Sequence, residues 1–331
     1  MKTLLKLLKW TAIVLILIVA GFYSFVQLSW DKKYEAPYPN IKASIDSAVI
    51  ARGEYLVYGP SHCATCHVPP DKMLAVDNGL KMPLIGGWEE SFPGFGVFRA
   101  PNLTPCPETG IGQLTDAEIT RSIRHMVKSD GTTLFPFMEY QGMSDEDLTA
   151  IISFLRSQEP VYNQVDRSDL GFVAKALSAF GVISPRGPKT APPTNVPTDD
   201  VLEYGRYIAQ DISNCKGCHI QMDDFGNQQG PDYAGGFLFP PNAFSEGYAY
   251  VSPNLTPHPT TGVMTNWTEE QFINRFKHGR IHKGSPMPWG SYSRMHDDDL
   301  KALYSYLQSL EPAEHKIEKT VYTPGEELPK P

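Results

Sequence analysis

The chain has 331 residues, with 29 Lys and Arg against 37 Asp and Glu, a formal net charge of −8, and 5 Cys beside 9 His. That length suffices for two or three compact units, each able to bury a core. The acidic balance argues against nucleic acid as a partner, because phosphates call for a basic surface.

Lys2, Lys6 and Lys9 precede a charge-free run over residues 10–30. As a helix those residues reach about 31 Å, matching a hydrocarbon core of about 30 Å. The lysines before the run, Trp10 and Trp30 at its ends, and a first acid only at Asp31 orient the N-terminus toward the cytoplasm. The expectation is a single-pass anchor over residues 1–30 in the inner membrane, with the rest on the periplasmic side. A cleaved signal peptide is the rival, since Val19-Ala20-Gly21 supplies small residues after an apolar stretch, but apolar residues continue well beyond it. Without residues 1–30 the chain keeps 26 basic and 37 acidic residues, a formal −11. Residues 31–46, with Pro37 and Pro39 and no helical period, read as a tether.

A helix is expected near residues 47–58, turning Ile50, Tyr55 and Leu56 toward a core. Directly after it comes Cys63-Ala64-Thr65-Cys66-His67, and a second copy stands at Cys215-Lys216-Gly217-Cys218-His219. In this pentapeptide two thiols can add across the vinyl groups of a haem, and the adjoining imidazole can bind the iron from the proximal side. Composition alone would produce such a pentapeptide roughly 0.002 times per chain, so two copies are strong evidence. A zinc site or a pair of redox disulfides would use the CxxC thiols but leaves the histidine after each unexplained. Two covalently bound haem c groups are therefore expected, with Cys63, Cys66, His67, Cys215, Cys218 and His219 holding them. Cys106 is left over and receives no role.

Residues 68–109 are rich in Gly and Pro, carry Trp88, Phe92, Phe95 and Phe98, and show neither helical nor strand period. They read as a long loop wrapped on the haem, which would supply the apolar surface that orders it. Thr115-Asp116-Ala117-Glu118 is a capping box opening a helix to about Lys128. Ser144 opens another, with Leu148, Ile151, Ile152 and Leu155 on one face, ending before Pro160. Residues 161–197 form a linker with five prolines and an apolar piece at 170–183, whose expected role is packing between the two haem modules rather than against a partner or the membrane surface.

The second module repeats the first at an offset of 152: Gly53 and Gly205, Cys63 and Cys215, Asn102 and Asn254, Leu148 and Leu300. This is an internal duplication. It repeats Pro101-Asn102-Leu103-Thr104-Pro105 as Pro253-Asn254-Leu255-Thr256-Pro257, and its capping box pairs Thr268 with Gln271. The expected boundaries are 47–160 and 198–312, with an extended charged tail at 313–331.

The sixth iron ligand is sought in the loop before each closing helix. In the second module Met287, followed by Pro288, sits in a rigid loop suited to presenting a thioether. In the first the constant offset puts Phe135 at that position, with Met138 and Met143 nearby. Met138 is preferred if the preceding loop is longer and the following one shorter than in the second copy. Met143 matches Met295 and reads as packing, and His125 and His278 are competing donors in the preceding helices.

The order CxxCH, Pro-Asn-Leu-Thr-Pro, a Met-bearing loop and an acidic-capped last helix resembles the cytochrome c subunits of membrane-bound alcohol, gluconate and sorbitol dehydrogenases, over nearly everything from Ile50 to Pro312. The resemblance implies a mainly α fold, with two tandem class I cytochrome c domains after one N-terminal transmembrane helix. It implies His/Met ligation by His67 and His219, with Met287 as the distal ligand of the second module. It also implies electron transfer on the periplasmic side, in the respiratory chain, from a dehydrogenase or other respiratory complex to quinone or a terminal acceptor, with no catalytic residue of its own. Such subunits commonly have three haem motifs and this chain has two. The alternative is a dihaem enzyme, a peroxidase or thiosulfate-oxidising cytochrome, which would need an open or displaceable sixth site.

Overall fold

The computed structural model describes residues 2–223, 227–242, 244–282 and 284–329. Residue 1 of the expected anchor, residues 330 and 331 of the expected tail, and residues 224–226, 243 and 283 of the expected second module lie outside these. The molecule is mostly helical. α1 (Lys2–Ser29) is exposed along nearly its whole length, burying only Val26, and among the described residues it is the one helix long and apolar enough to cross a membrane.

The first half is built on α2 (Ser47–Tyr58), capped by the Asp46 carboxylate, which accepts from the Ala48 and Val49 amides. The short helix α3 (Met73–Asp77) follows the CxxCH motif, then strands β1 (Glu89–Phe92) and β2 (Gly96–Arg99), α4 (Asp116–His125) and α5 (Asp145–Ser157). α4 carries the expected capping box: Glu118 N–H donates to Thr115 Oγ1, and the Thr115 amide donates to the Glu118 carboxylate. It stops at His125 because Met126 turns left-handed at φ 56°. α5 lies across α2 at Gly53, where an added Cβ would stand 1.9 Å from the Ala150 carbonyl oxygen. Only hydrogen fits there.

Beyond β3 (Asp169–Leu170) and α6 (Phe172–Ala179), the second half repeats the plan. It comprises α7 (Val201–Tyr207), α8 (Cys215–Cys218), β4 (Leu238–Phe239), β5 (Ala249–Val251), α9 (Glu269–Lys277), α10 (Trp289–Tyr292), α11 (Asp297–Gln308) and β6 (Val321–Tyr322). α7 and α11 cross at Gly205, whose added Cβ would lie 2.0 Å from the Ala302 carbonyl oxygen, the same crossing one repeat later.

Two expectations are corrected. The stretch 68–109 is not all loop: β1 and β2 pair antiparallel, with Glu90 opposite Phe98, and β3 adds to β2 through Gly96 opposite Leu170. Strands of two to four residues are too short to display a period of two, and the third comes from about 70 residues later. Residues 321–322 have the extended backbone expected of the tail and pair as β6 on β5. The apolar linker piece does not pack between the halves. It forms α6 and lies on α1, where Phe22, Tyr23 and Phe25 meet Phe172 and Phe180.

The two halves meet through reciprocal bonds. Tyr55 of α2 donates to Asp299 of α11, while Tyr207 of α7, one offset of 152 later, donates to Asp147 of α5 at 2.9 Å. Arg52 clamps Asp147 from its own half at 2.8 and 3.1 Å, and Tyr204 takes the matching place on Asp299 at 3.0 Å. Burial, reinforced by the adjacent carboxylates, raises the Tyr55 and Tyr207 phenols above their ordinary pKa, so both remain donors.

Candidate haem-binding sites

Each CxxCH segment is one tight helical turn. His67 N–H donates to the Cys63 carbonyl at 3.0 Å, and His219 N–H to the Cys215 carbonyl at 3.0 Å. In such a turn residues i, i+3 and i+4 share a side, so both thiols and the imidazole present together. The residue before the first cysteine is left-handed in both copies, His62 at φ 40° and Asn214 at φ 45°, and turns the chain out of the preceding helix.

The Pro-Asn-Leu-Thr-Pro loops orient the imidazoles. His67 Nδ1 lies 3.0 Å from the Pro101 carbonyl oxygen, and His219 Nδ1 lies 3.0 Å from that of Pro253. A carbonyl can only accept, so Nδ1 carries the proton and Nε2 keeps a free lone pair. Burial lowers both imidazole pKa values, which keeps them neutral. Asn102 holds the first loop, accepting from Thr104 N–H at 2.9 Å and donating to Thr109 and the Val161 carbonyl. Asn254 does the same with Thr256, Thr261 and Ala313. These backbone acceptors and their asparagine braces were missed as site residues, although the repeated pentapeptide was their signal.

A second missed pair is Tyr140 and Tyr292. Tyr140 donates to the Ser61 carbonyl at 2.5 Å and Tyr292 to the Ser213 carbonyl at 3.0 Å, each two residues before the first cysteine. Each phenol thereby ties its half's methionine-bearing loop to the CxxCH turn. Met287 stands five residues before Tyr292, partly buried against the core, with α10 starting only two residues later at Trp289. Met138 stands two residues before Tyr140 and is also partly buried. Because the tyrosines keep the offset of 152, Met138 falls in register with Gly290 and Phe135 with Met287. Phe135 packs among Phe98, Phe137 and Phe95 at ring separations of 4.3, 5.0 and 6.4 Å. Met143 and Met295 are wholly buried just before the closing helices. His125 ends α4 beside Gly187, and His278 is exposed, lining an open groove of about 510 Å³ with Trp267, Gln271 and Arg275.

The loops also cross between halves. Thr65 Oγ1 lies 3.4 Å from Ser291 Oγ, the His62 and Tyr292 rings are 5.8 Å apart, and Asn214 Nδ2 donates to Glu139 at 3.4 Å. Each CxxCH turn therefore touches the loop that carries the other half's methionine. Cys106 is buried, its thiol donating to the Glu108 carboxylate at 3.2 Å.

No protein-family model matches the chain. It is 29% identical over 298 residues to the cytochrome c subunit of a quinone alcohol dehydrogenase from Gluconacetobacter polyoxogenes, covering 85% of this chain and 60% of that one. It is 27% identical over 333 residues to a gluconate 2-dehydrogenase cytochrome c subunit from Pantoea cypripedii, covering 95% and 68%. The chain is a homologue of dehydrogenase cytochrome c subunits. A diheme cytochrome c-type protein of Cereibacter sphaeroides is 25% identical over 270 residues, covering 78% of this chain and 84% of that one. The chain spans about 60% of the length of the alcohol dehydrogenase subunit it matches.

A cytochrome c carries covalently bound haem, and the two turns suit one. The thiols are unbridged, and burial pushes those of Cys63 and Cys215 up to about 12, so they persist as thiols beside a neutral imidazole with a free Nε2. Ser61 Oγ and Ser213 Oγ, at equivalent places beside the two motifs, are buried with no hydrogen-bond partner among the described residues.

Proposed function

We propose that this cytochrome subunit is a membrane-tethered dihaem electron carrier. Residues 47–160 and 198–312 form tandem class I cytochrome c domains, residues 1–30 the anchor, and both domains stand on the periplasmic side of the inner membrane. Electrons enter from a dehydrogenase or other respiratory complex and leave toward quinone or a terminal acceptor. The observation that carries this reading is the pair of equivalent CxxCH turns, each with Nε2 free and Nδ1 pinned, meeting where the halves touch. A haem c at each turn supplies a one-electron iron couple.

The residues then have distinct tasks. Cys63 and Cys66, and Cys215 and Cys218, form the thioether links. His67 and His219 donate Nε2 to the iron, and Pro101 and Pro253 hold those rings in one tautomer. Met287 is the sixth ligand of the second haem and Met138 that of the first. Tyr140 and Tyr292 set the distance of each loop from its turn, and the contacts Thr65 to Ser291 and Glu139 to Asn214 hold the two sites together. None of these tasks needs acid/base or nucleophilic chemistry, which separates the carrier from a peroxidase or thiosulfate-oxidising enzyme.

The test is covalent haem content. After acid-acetone extraction of the denatured protein, pyridine haemochrome and intact mass should report two haems per chain. Replacing Cys215 and Cys218 with Ala should leave one. Fewer than two on the parent chain overturns the reading.

A further inference from the structure

We infer that α6 is a second membrane contact, a short helix lying in the lipid interface beside the anchor and fixing how the haem-bearing half above it faces the bilayer. The inference rests on α1 being an anchor. Its own evidence is the way α6 meets α1. Phe172, at the start of α6, packs on Phe22 and Tyr23 at ring separations of 5.9 and 5.8 Å. Phe180, just past its end, packs on Phe22 and Phe25 at 6.0 and 5.3 Å. Both ends of an eight-residue helix thus touch a single turn of α1. Rings from both ends of α6 meeting the same Phe22 fit a helix laid across α1, and from this we infer that α6 lies near the membrane plane when α1 stands along the normal.

The depth follows from the helix rise. At 1.5 Å per residue, Phe25 stands about 7.5 Å and Phe22 about 12 Å below Trp30, the end of the charge-free run. That places α6 at the level where interfacial helices seat their apolar face, roughly 5–10 Å into the headgroup and acyl boundary. What α6 and the residues just after it show outward matches: Phe172 is 41% exposed, Phe180 60% and Val182 65%, beside the 44% exposed Phe22 and Phe25 of α1. This surface is continuous with the lipid-facing side of the anchor, so the same solvent covers both. The polar groups reach upward, as snorkelling requires. Lys175 Nζ sits 5.2 Å from the centre of the Trp30 ring, and Lys32 Nζ donates to the Ala179 carbonyl at 2.7 Å, closing the C-terminus of α6.

The consequence is orientation. β3 directly precedes α6 and pairs with β2, and Val173 touches the hairpin turn at Gly94, where an added Cβ would lie 3.0 Å from Val173 Cγ2. α1 alone, joined through a tether, would leave the head free to rotate. With α6 seated in lipid, the β1–β2 hairpin of the first half is held against the bilayer.

The experiment uses the haem-loaded full chain, one copy per lipid nanodisc, in a Cys106→Ser background. Single cysteines are placed by Phe180→Cys, Val182→Cys, Leu17→Cys and Glu269→Cys, and labelled with a charged, membrane-impermeant maleimide. Each rate is normalised to labelling after denaturation in detergent. Glu269→Cys, exposed at the start of α9, should react fast and Leu17→Cys slowly. Phe180→Cys and Val182→Cys should react at least about tenfold more slowly than Glu269→Cys, because a thiol in lipid does not ionise. Protein contacts cannot produce that protection at positions more than half exposed on an isolated chain. Fast labelling at 180 and 182 with Leu17→Cys protected overturns the inference and leaves the anchor standing. Fast labelling at Leu17→Cys as well overturns the anchor and the inference with it.

Discussion

The Gly53→Ala variant tests whether the helix crossing under each CxxCH turn is as close as the structure places it. The new Cβ would stand 1.9 Å from the Ala150 carbonyl oxygen, 2.5 Å from its carbon and 2.8 Å from Phe154 Cβ. Ordinary contacts begin near 3.4 Å, so α2 and α5 must part by about 1.5 Å, and the obstacle is backbone that no rotamer change can clear. Overpacking of this kind costs about 1–3 kcal/mol or more. The gain from replacing a helical glycine is about 0.5–1 kcal/mol, which leaves a net loss of about 2 kcal/mol when the clash costs about 3. Urea unfolding followed by circular dichroism gives the total. Hydrogen exchange read by mass spectrometry should show faster exchange in α2 and α5, with α7 and α11 unchanged. Gly205→Ala should produce the mirror pattern, because its Cβ meets Ala302 in the same way. Gly21→Ala, also helical but with nothing within 4 Å of the new Cβ, is the control without a clash and should not destabilise. A change below about 0.5 kcal/mol at Gly53, with exchange unaltered, would refute the close crossing.

Replacing Tyr55 or Tyr207 with Phe should each lower stability by about 1–3 kcal/mol, as expected for a lost hydrogen bond to a charged group. Tyr55→Phe should cost more, since among the described residues Asp147 keeps the Arg52 guanidinium whereas Asp299 keeps only Tyr204, and equal losses in urea unfolding would contradict this. His62 is held neutral by burial, its pKa lowered to about 4, while the unfolded chain protonates it near 6.5. Between those values the unfolded state binds more protons, so stability falls as pH drops from about 6.5 to about 4, by about 3 kcal/mol in all. His62→Asn, which copies the left-handed Asn214 of the second half, should remove that acid sensitivity in unfolding curves at pH 7 and pH 4.5. Met287→His should abolish the near-infrared sulfur-to-iron band of one oxidised haem and lower its potential, because imidazole donates more electron density than a thioether. Met138→His should do so for the other haem. A silent Met138→His beside an effective Met143→His would move the first-half ligand to Met143.

The features legible in the chain are those whose partners are near in sequence. The CxxCH turn joins residues three and four apart, so its chemistry is written in spacing. The capping boxes at Thr115 and Thr268 bond across three residues and appear where expected. The duplication was legible too, because equivalent residues keep one offset, and the glycines at 53 and 205 then proved to be the same crossing. The Pro-Asn-Leu-Thr-Pro repeat was visible without its purpose, since the imidazole that each proline carbonyl receives lies 34 residues upstream.

The rest depended on contacts that no local pattern encodes. Tyr55 and Asp299 are 244 residues apart, and nothing in either helix's apolar stripe announces that a phenol of one half serves the carboxylate of the other. The short strands arise because pairing is decided by what lies alongside, so two to four residues with no period of their own become β1, β2 and β6 once neighbours satisfy their backbone groups. For α6 the sequence determined an apolar segment that had to be covered. Only the tertiary structure decided that its aromatic rings turn to α1 rather than to the space between the halves. The hydrophobic effect sets how much surface must leave water but carries no direction, and direction comes from the chain connections and shapes that bring one surface within reach of another.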